Sequence, residues 1–454
     1  MSSPKDSQAA SIIDIVNQAK NVLSQNSFED LVIPAQGLYP HRVLWDSCFA
    51  AIGLSHYDVK KAQLQINSFL EAQWSNGMIP HIIFNPQPKY WWDRHIWRSK
   101  ISPLSKHAIA TSGITQPPMF AEAVVRIGER LNESQRNSWY EQIFSSLVAY
   151  HSWLYSERNP EGRGLITLIH PWETGLDNTP PWLVSLRHHH APWWINMITW
   201  LKLDKVADHF RFDARYVDPS ERSTTYEALR LYDALRKIRR NKYDSKKIMP
   251  KSTFAIEDIV FNSIFIRANS LLKEIAAIIN QELPEDLLKN IALTEANFKQ
   301  FWDKEDDKYY SRNQKYGNFL KEDSIGSLMP LYSGVISESR AKQLYERLIN
   351  KDDFNTPYPL PSVPISSPWF KPMRYWQGPS WININWLLID GLKRYGFIEE
   401  ARILSNKSIA MVRDKGFYEY FNPQSGEPAG VVNFSWTAAL IIDLVSQMHP
   451  ELID

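Results

Sequence analysis

Two separate loops carry carboxylates together with aromatic side chains. The first spans residues 170–182 and holds Trp172, Glu173, Asp177 and Trp182, among prolines and a glycine that a continuous helix does not run through. Indole rings offer flat apolar faces to pyranose rings, and carboxyl groups transfer protons or bind hydroxyl groups. This combination of residue types favours a sugar-binding site.

The second loop, residues 416–427, carries Glu419 and Glu427 among tyrosines and phenylalanines. Two carboxylates that arrive from distant loops meet the chemical requirement of glycoside hydrolysis. The residue types leave the roles open, since Glu173 competes with Asp177 as the acid and Glu427 competes with Glu419 as the base. We expect the Asn-Pro-Gln-Ser-Gly turn to carry Glu427 away from the site.

A general acid must keep its proton at neutral pH, where an ordinary aspartate is ionised. We expect burial beside Trp172 and Trp182, together with the nearby charge of Glu173, to raise the pKa of Asp177. The alternative is that Asp177 caps a helix starting near Asn178.

Further polar residues have two interpretations each. Asp46 follows Trp45 at the start of a helix, so it binds sugar hydroxyls or acts as the N-cap. Gln116 precedes two prolines and presents its amide to a pocket or belongs to a helix-start turn. Arg222 and Tyr226 are four residues apart and could share a helix face, where the guanidinium would bind a carboxylate on the substrate; surface ion pairing is the alternative.

Composition excludes several classes of partner. The 51 basic and 50 acidic residues give a net charge of +1, which argues against an electrostatic nucleic-acid binder. No run of about 18 apolar residues predicts a membrane span. The single cysteine, Cys48, fits a reducing compartment. Because no signal peptide is recognisable either, we expect a soluble, cytoplasmic protein. The sequence is also compatible with a homo-oligomer.

The elements that must position these side chains are predominantly helical. Apolar residues recur at helical spacing, with cap residues such as Asp58, Asn132 and Ser337 before several segments. The predicted helical segments are 10–24, 59–71, 117–131, 135–156, 222–240, 256–281, 283–302, 338–349, 381–395, 397–413 and 434–447. Helix pairs recur from end to end without a linker, which predicts one all-α domain over residues 1–454, an (α/α)6 barrel with long aromatic loops.

Metal and cofactor sites are not predicted. The three consecutive histidines 188–190 cannot converge on one ion in regular structure, and no zinc motif accompanies them. No phosphate-binding or dinucleotide-binding motif is present, and the basic stretch 239–247 is typical of a solvated loop. We therefore expect activity that needs no metal and no cofactor.

Six motifs, in order, resemble the glycoside hydrolase family 63 group, and most closely its bacterial and plant mannosylglycerate/glucosylglycerate hydrolases, which are compact (α/α)6 proteins. The resemblance runs from about residue 37 to 447. The motifs are Trp45–Ser47, Gln73–Pro80, Glu173–Pro180, Tyr375–Trp381, Tyr418–Pro423 and Phe434–Ala438. Relatives often carry Arg in place of Gln377, so the resemblance leaves the preferred substrate open.

The resemblance implies an inverting reaction in which Asp177 is the general acid and Glu419 is the general base. It also implies that the Trp45-Asp46 motif and the 375–381 motif hold the sugar. The predicted substrate-binding set is Tyr39, Trp45, Asp46, Gln116, Glu173, Asn178, Arg222, Tyr226, Tyr375, Trp376, Gln377, Trp381 and Trp436.

The leading hypothesis is an inverting α-glycosidase that acts on a small α-glucoside or α-mannoside such as glucosylglycerate or mannosylglycerate. Trehalase and oligosaccharide α-glucosidase are alternatives on the same fold. A sugar epimerase on this fold would need paired histidines as acid and base. A non-catalytic sugar-binding barrel would not need both Asp177 and Glu419. The presence of both carboxylates therefore favours the hydrolase.

Overall fold

The computed structural model describes residues 4–188, 191–201, 213–252 and 254–452. Helices dominate these residues, in which every β-strand is five residues or shorter. The α-helices are Pro4–Gln25, Leu44–Leu54, Val59–Glu71, Trp91–Trp97, Phe120–Gly128, Glu133–Arg158, Pro180–His188, Trp193–Trp200, Thr225–Arg240, Ser245–Ile248, Ile259–Ile278, Glu285–Asn297, Pro330–Ser333, Glu338–Ile349, Ile382–Arg394, Ile398–Lys415 and Ser435–Met448.

Six of these helices form a closed inner ring. Each inner helix packs against the next one along the chain, and the sixth packs against the first. The inner helices are Leu44–Leu54, Phe120–Gly128, Ile259–Ile278, Pro330–Ser333, Ile382–Arg394 and Ser435–Met448.

Six outer helices surround this ring, and each contacts at least one inner helix. Outer and inner helices alternate along the chain, so the chain builds six helix hairpins. The outer helices are Pro4–Gln25, Val59–Glu71, Glu133–Arg158, Glu285–Asn297, Glu338–Ile349 and Ile398–Lys415. This arrangement is an (α/α)6 barrel, and the predicted fold class is confirmed.

The first inner helix, Leu44–Leu54, is apolar because it is surrounded on all sides. All eleven residues of Leu44–Leu54 are buried, so this helix shows no polar face and no helical alternation of burial. The spacing of apolar residues therefore does not show where this helix begins or ends in the sequence. The outer helices keep a polar face, and the caps predicted for three of them are present: the side chains of Asp58, Asn132 and Ser337 each accept a backbone N–H of the following turn.

The strands are short and connect loops at the ends of the barrel. They are Ser27–Phe28, Leu31–Val32, Arg42–Val43, Ile82–Ile83, Thr167–Leu168, Ile256–Glu257, Trp302–Asp303, Lys308–Tyr309, Arg312–Asn313, Tyr418–Phe421 and Pro428–Val432. The last two form an antiparallel hairpin, in which Tyr420 pairs with Ala429 and Phe421 pairs with Pro428. Residues 416–427 were predicted as a loop, and this was wrong for the strand Tyr418–Phe421, because alternate side chains of this segment pack on both faces.

The longest interruption of the hairpin pattern lies between the third outer helix and the third inner helix. It spans residues 159–258 and contains Pro180–His188, Trp193–Trp200 and Thr225–Arg240. Within the described residues, no helix has the length and apolar character that crossing a membrane requires.

Candidate active site

A cavity of about 890 Å³ opens where the N-terminal ends of inner helices meet. Trp45 and Trp436 lie in the first turn of two of these helices, and Gln116 and Trp376 lie a few residues before two others. Loops from several hairpins therefore converge on one volume. The other predicted site residues that line the cavity are Tyr39, Asp46, Asp177, Arg222, Tyr375 and Glu419.

Asp177 reaches this cavity on a loop that approaches the first inner helix closely. Gly175 has a φ of +76°, and a Cβ atom there would lie 2.7 Å from the Trp45 ring, so the position requires glycine. The Tyr375 hydroxyl lies 3.2 Å from Oδ2 of Asp177 and hydrogen-bonds to it. The loop thus presents the Asp177 carboxyl to the cavity instead of using it as a helix cap.

The pKa of Asp177 is raised to about 7, chiefly by burial and in smaller part by the charge of Glu419, against the opposing effects of Tyr375 and Arg222. The expected elevation is present, but one of its expected causes was wrong. Trp182 packs against Phe254 and does not line the cavity. The negative charge that acts on Asp177 comes from Glu419 and not from Glu173.

Glu419 lies on the hairpin strand Tyr418–Phe421 and is buried. Its Oε1 accepts a hydrogen bond from the Tyr39 hydroxyl at 2.9 Å, and its Oε2 accepts one from the Val431 backbone N–H at 3.1 Å. Across the hairpin, Gly430 has a φ of +71°, and a Cβ atom there would lie 2.6 Å from Oε2. The partner strand therefore fixes the position of this carboxylate.

Arg222 holds Glu419 from the other side. Its Nη2 donates to Oε2 at 2.5 Å and its Nη1 donates to Oε1 at 3.3 Å, while the guanidinium carbon lies 4.4 Å from the Tyr375 ring centroid. The rings of Tyr39 and Tyr420 lie within 6 Å of the same cation. Because Arg222 is bound to Glu419 in this way, its guanidinium is not a free fork for a carboxylate on the substrate.

The predicted helix face shared by Arg222 and Tyr226 does not exist. The helix begins at Thr225, where the side chains of Thr224 and Glu227 form a capping box, so Arg222 precedes it. Tyr226 accepts a hydrogen bond from Arg230 at 3.3 Å and is not among the lining residues. The structure therefore brings only Arg222 of this pair to the cavity.

Asp46 lies in the first turn of Leu44–Leu54, but the N-cap position belongs to Val43. Its carboxyl is buried and lines the cavity, and burial, reinforced by the charges of Glu419 and Asp177, raises the pKa of Asp46 well above its usual range. The raised pKa favours the protonated form of Asp46, which can donate as well as accept hydrogen bonds. Three carboxyl groups thus surround one volume.

An aromatic wall forms one side of the cavity. Trp45, Trp376 and Trp436 line it, and the centroids of Trp45 and Trp436 are 5.6 Å apart in an edge-to-face arrangement. Trp381, expected to contact the sugar, lies behind this wall: its ring is stacked on Trp376 at 3.8 Å, and only 1% of the residue is exposed. Its contribution is to keep the Trp376 ring in place.

Glu173 is turned away from the cavity. It is fully buried, and both its oxygens are bound by Arg158 at 2.7 and 2.9 Å. The Ile169 backbone N–H adds a bond to Oε2 at 2.7 Å. With its oxygens occupied inside the protein, Glu173 supports the loop that carries Asp177 and is not placed to bind a substrate. Spacing along the chain did not indicate this ion pair, because the partner Arg158 lies on a separate helix.

Asn178 and Gln377 join two loops behind the wall. Oδ1 of Asn178 accepts the Trp376 backbone N–H at 2.8 Å, and Nε2 of Gln377 donates to the Asn178 carbonyl at 2.9 Å. Neither residue lines the cavity. Position 377 is Gln in this chain and often Arg in the resembling proteins. This difference therefore lies behind the aromatic wall and not on the surface that faces the cavity.

Several lining residues were not predicted individually. Many of them lie on the helix Trp91–Trp97 or directly before it. The aromatic cluster at residues 90–92 was one feature of the sequence that could have indicated them. His41 Nε2 lies 3.1 Å from Asp93 Oδ2 at this rim. Burial lowers the pKa of His81 to about 3, so this lining histidine is neutral. The unpredicted lining side chains include His41, His81, Lys89, Tyr90, Trp92, Asp93, Trp97, Asp213 and Tyr216.

Metal-binding groups of three or more His, Cys, Asp or Glu residues are absent from the described part of the chain. Of the histidine triplet 188–190, residues 189 and 190 lie outside the described residues.

Comparison with known proteins gives a consistent result. A family model described as "Mannosylglycerate hydrolase MGH1-like glycoside hydrolase domain" matches residues 39–437. A mannosylglycerate hydrolase from Thermus thermophilus is 34% identical, over 94% of this chain and 99% of that protein. A glucosylglycerate hydrolase from Mycolicibacterium hassiacum is 31% identical, over 94% of this chain and 96% of that protein.

The fold agrees with these similarities. The crystal structure of a GH63 mannosylglycerate hydrolase from Thermus thermophilus, in complex with Tris and D-glycerate, superposes with a TM-score of 0.84 at 32% sequence identity. The superposition covers 94% of this chain and 99% of that one.

Proposed function

This chain belongs to the mannosylglycerate hydrolase MGH1-like glycoside hydrolase family, and we propose that it hydrolyses the α-glycosidic bond of mannosylglycerate, glucosylglycerate or both. The sugar is held by the aromatic wall of Trp45, Trp376 and Trp436. The residue roles, and the stereochemical course of the reaction, are part of this proposal.

One observation carries the assignment of roles: two carboxyl groups line the same cavity in opposite electrostatic settings. Asp177 is part-buried and has no salt bridge to another described residue, and desolvation raises its pKa to about 7, which keeps a proton available at neutral pH. Glu419 is bound by the Arg222 guanidinium and by the Tyr39 hydroxyl, both of which stabilise an ionised carboxylate. Pairs of carboxyl groups whose surroundings differ in this way divide into acid and base.

The reaction follows from these two states. Asp177 donates its proton to the glycosidic oxygen, so the aglycone leaves as an alcohol, while Glu419 removes a proton from a water that attacks the anomeric carbon from the opposite face. Inversion requires room for that water, and we expect the two carboxyl groups to lie about 6.5–9.5 Å apart in the working enzyme, not the ~5 Å of a retaining pair. In this proposal Asp46, which lines the same cavity, binds hydroxyl groups of the sugar.

The substrate test is a panel of small α-glycosides. It contains mannosylglycerate, glucosylglycerate, the methyl glycosides of both sugars and trehalose, with release of free sugar as the measurement. We expect turnover of at least one glycosylglycerate and weak or no turnover of trehalose. Proton NMR of the first sugar formed should show the β anomer; an initial α anomer would refute inversion and would make Glu419 a nucleophile.

The residue test compares three carboxyl-to-amide variants. Asp177→Asn and Glu419→Gln should each lower kcat by about 10²–10⁴-fold, because each removes a proton-transfer group. Glu427→Gln is the matched control, since Glu427 follows the same hairpin turn but is exposed and does not line the cavity. If Glu427→Gln lost activity and Glu419→Gln retained it, the base would have to be reassigned.

A further inference from the structure

The hairpin that carries Glu419 contains a β-bulge directly opposite this residue. Between the two nearest paired positions, one strand has a single residue, Glu419, and the partner strand has two, Gly430 and Val431. An extra residue of this kind interrupts the regular pairing of a hairpin, and bulges beside active sites often aim a side chain. Backbone N–H groups at the bulge therefore need acceptors other than the regular cross-strand carbonyls.

Two carboxylates accept the N–H groups of the bulge. Val431 donates to Oε2 of Glu419 at 3.1 Å, and Gly430 donates to Oε2 of Glu221 at 3.1 Å. The same oxygen of Glu221 accepts the Tyr420 hydroxyl at 3.1 Å, so Glu221 is bonded to both strands of the hairpin. Glu221 is half-buried and does not line the cavity, so these bonds hold the hairpin and not the substrate.

The short turn that supplies Glu221 also supplies Arg222. The Asp218 side chain caps this turn, Pro219–Glu221, by accepting a backbone N–H. Two consecutive residues therefore hold two parts of one arrangement: Glu221 binds the bulge, and Arg222 binds both oxygens of Glu419. The carboxylate and the strand opposite it are thus fixed from the same turn.

We propose that Glu221 is a positioning residue for the reaction. By holding the bulge at Gly430, it keeps the Val431 N–H directed at Glu419 and so fixes the direction in which this carboxylate meets the attacking water. Without Glu221 the bulge can move, and Glu419 is held by side chains alone. A misplacement of about 1 Å can cost about 10²-fold in rate. This proposal rests on the proposed role of Glu419 as the base.

Three substitutions of Glu221 separate the reach of the side chain from its charge. Glu221→Gln keeps an accepting oxygen at the same reach without the charge, Glu221→Asp keeps the charge on a side chain one methylene shorter, and Glu221→Ala removes both. We expect Glu221→Gln to keep kcat within about twofold of wild type, and the other two to lower kcat by about tenfold or more. KM should change little, because Glu221 does not line the cavity.

A glycosyl fluoride shows on which side of the reaction the defect lies. Fluoride departs without a proton from Asp177, but the attacking water still needs Glu419. Glu221→Asp and Glu221→Ala should therefore lose the same factor in kcat with the fluoride as with a glycosylglycerate. Unchanged turnover of the fluoride would place the defect at the acid and refute the proposal. Glu427→Ala, at an exposed residue of the same hairpin, is the matched control and should keep wild-type kcat with both substrates.

Hydrogen–deuterium exchange of the hairpin is a second measurement, which does not depend on turnover. The Gly430 N–H should exchange at least about tenfold faster in Glu221→Asp and Glu221→Ala than in wild type, and at the wild-type rate in Glu221→Gln. If Glu221→Ala does not fold, the comparison of Glu221→Asp with Glu221→Gln decides.

Two results would overturn the proposal: wild-type kcat in Glu221→Asp and Glu221→Ala, or a loss in Glu221→Gln as large as theirs, which would assign the effect to charge. Absence of turnover in wild type with every glycosylglycerate would instead refute the proposed function. In that case faster exchange of the Gly430 N–H would still show that Glu221 holds the bulge.

Discussion

Asp177 and Glu419 are similar carboxyl groups whose difference is created by their neighbours. Asp177 has burial and one tyrosine hydroxyl, whereas Glu419 has a guanidinium, a tyrosine hydroxyl and a backbone N–H. Glu173 shows the third outcome, since Arg158 occupies its carboxylate and removes it from the chemistry. For a single residue, the type of side chain limits the chemistry that it can perform, and its contacts decide which part of that chemistry it performs.

The pKa of Asp177 predicts one limb of the pH profile. A carboxyl whose pKa is about 7 is protonated below that pH and ionised above it. Because only the protonated form donates to a leaving group, kcat/KM should fall as the pH rises through about 7. The measurement is the pH dependence of kcat/KM with a glycosylglycerate.

The same profile with the corresponding glycosyl fluoride identifies the group. Fluoride departs without needing a proton, so the alkaline limb should disappear for this substrate if Asp177 causes it. An unchanged alkaline limb would assign that limb to another group.

At the level of secondary structure, the β-hairpin positions Glu419, the proposed base. The strand Tyr418–Phe421 carries Glu419, and the partner strand Pro428–Val432 donates a backbone N–H to it. Gly430, on the partner strand, leaves the space that the Glu419 carboxylate fills. A glycine in a strand commonly marks such a close approach.

Gly430→Ala tests this arrangement. The added Cβ would meet Oε2 of Glu419 at 2.6 Å, so we expect the carboxylate to shift and kcat to fall by about tenfold or more, since small displacements of a catalytic group are costly. Gly396→Ala is the matched control: it has a φ of +78°, similar to that of Gly430, but no atom lies within 4 Å of the added Cβ. Both variants carry backbone strain, and only Gly430→Ala should lose activity beyond its loss of stability.

At the scale of the whole molecule, closure of the ring brings the chain ends together. The last inner helix, Ser435–Met448, packs against the first, Leu44–Leu54, and against Pro4–Gln25. Asn26 adds side-chain hydrogen bonds to the Asn433 carbonyl at 2.7 Å and to Ser435 Oγ at 2.9 Å. We propose that the barrel is therefore a single folding unit, which spectroscopic and calorimetric unfolding would show as one transition.

Gly53→Ala tests the closure contact. The added Cβ would lie 2.5 Å from Ala439 Cα, so the two helices must separate, and we expect a loss of about 1–3 kcal/mol in the free energy of unfolding. Helix propensity alone predicts the opposite sign, a gain of up to ~1 kcal/mol when glycine becomes alanine inside a helix. Urea unfolding followed by circular dichroism distinguishes the two, and a more stable variant would contradict a tight closure.

Local sequence was enough to predict most of the helices, the caps at Asp58 and Ser337, the recurrence of helix hairpins that indicates the barrel, and the two segments that carry Asp177 and Glu419. These features are local, because each depends on spacing or chemistry within a few residues. The tertiary structure alone decided which candidates face the cavity. Arg222 bound to Glu419, Trp381 hidden behind the wall and Glu173 bound by Arg158 all depend on residues that are distant in sequence. Such contacts are set by how the ring closes, and spacing along the chain carries no record of them.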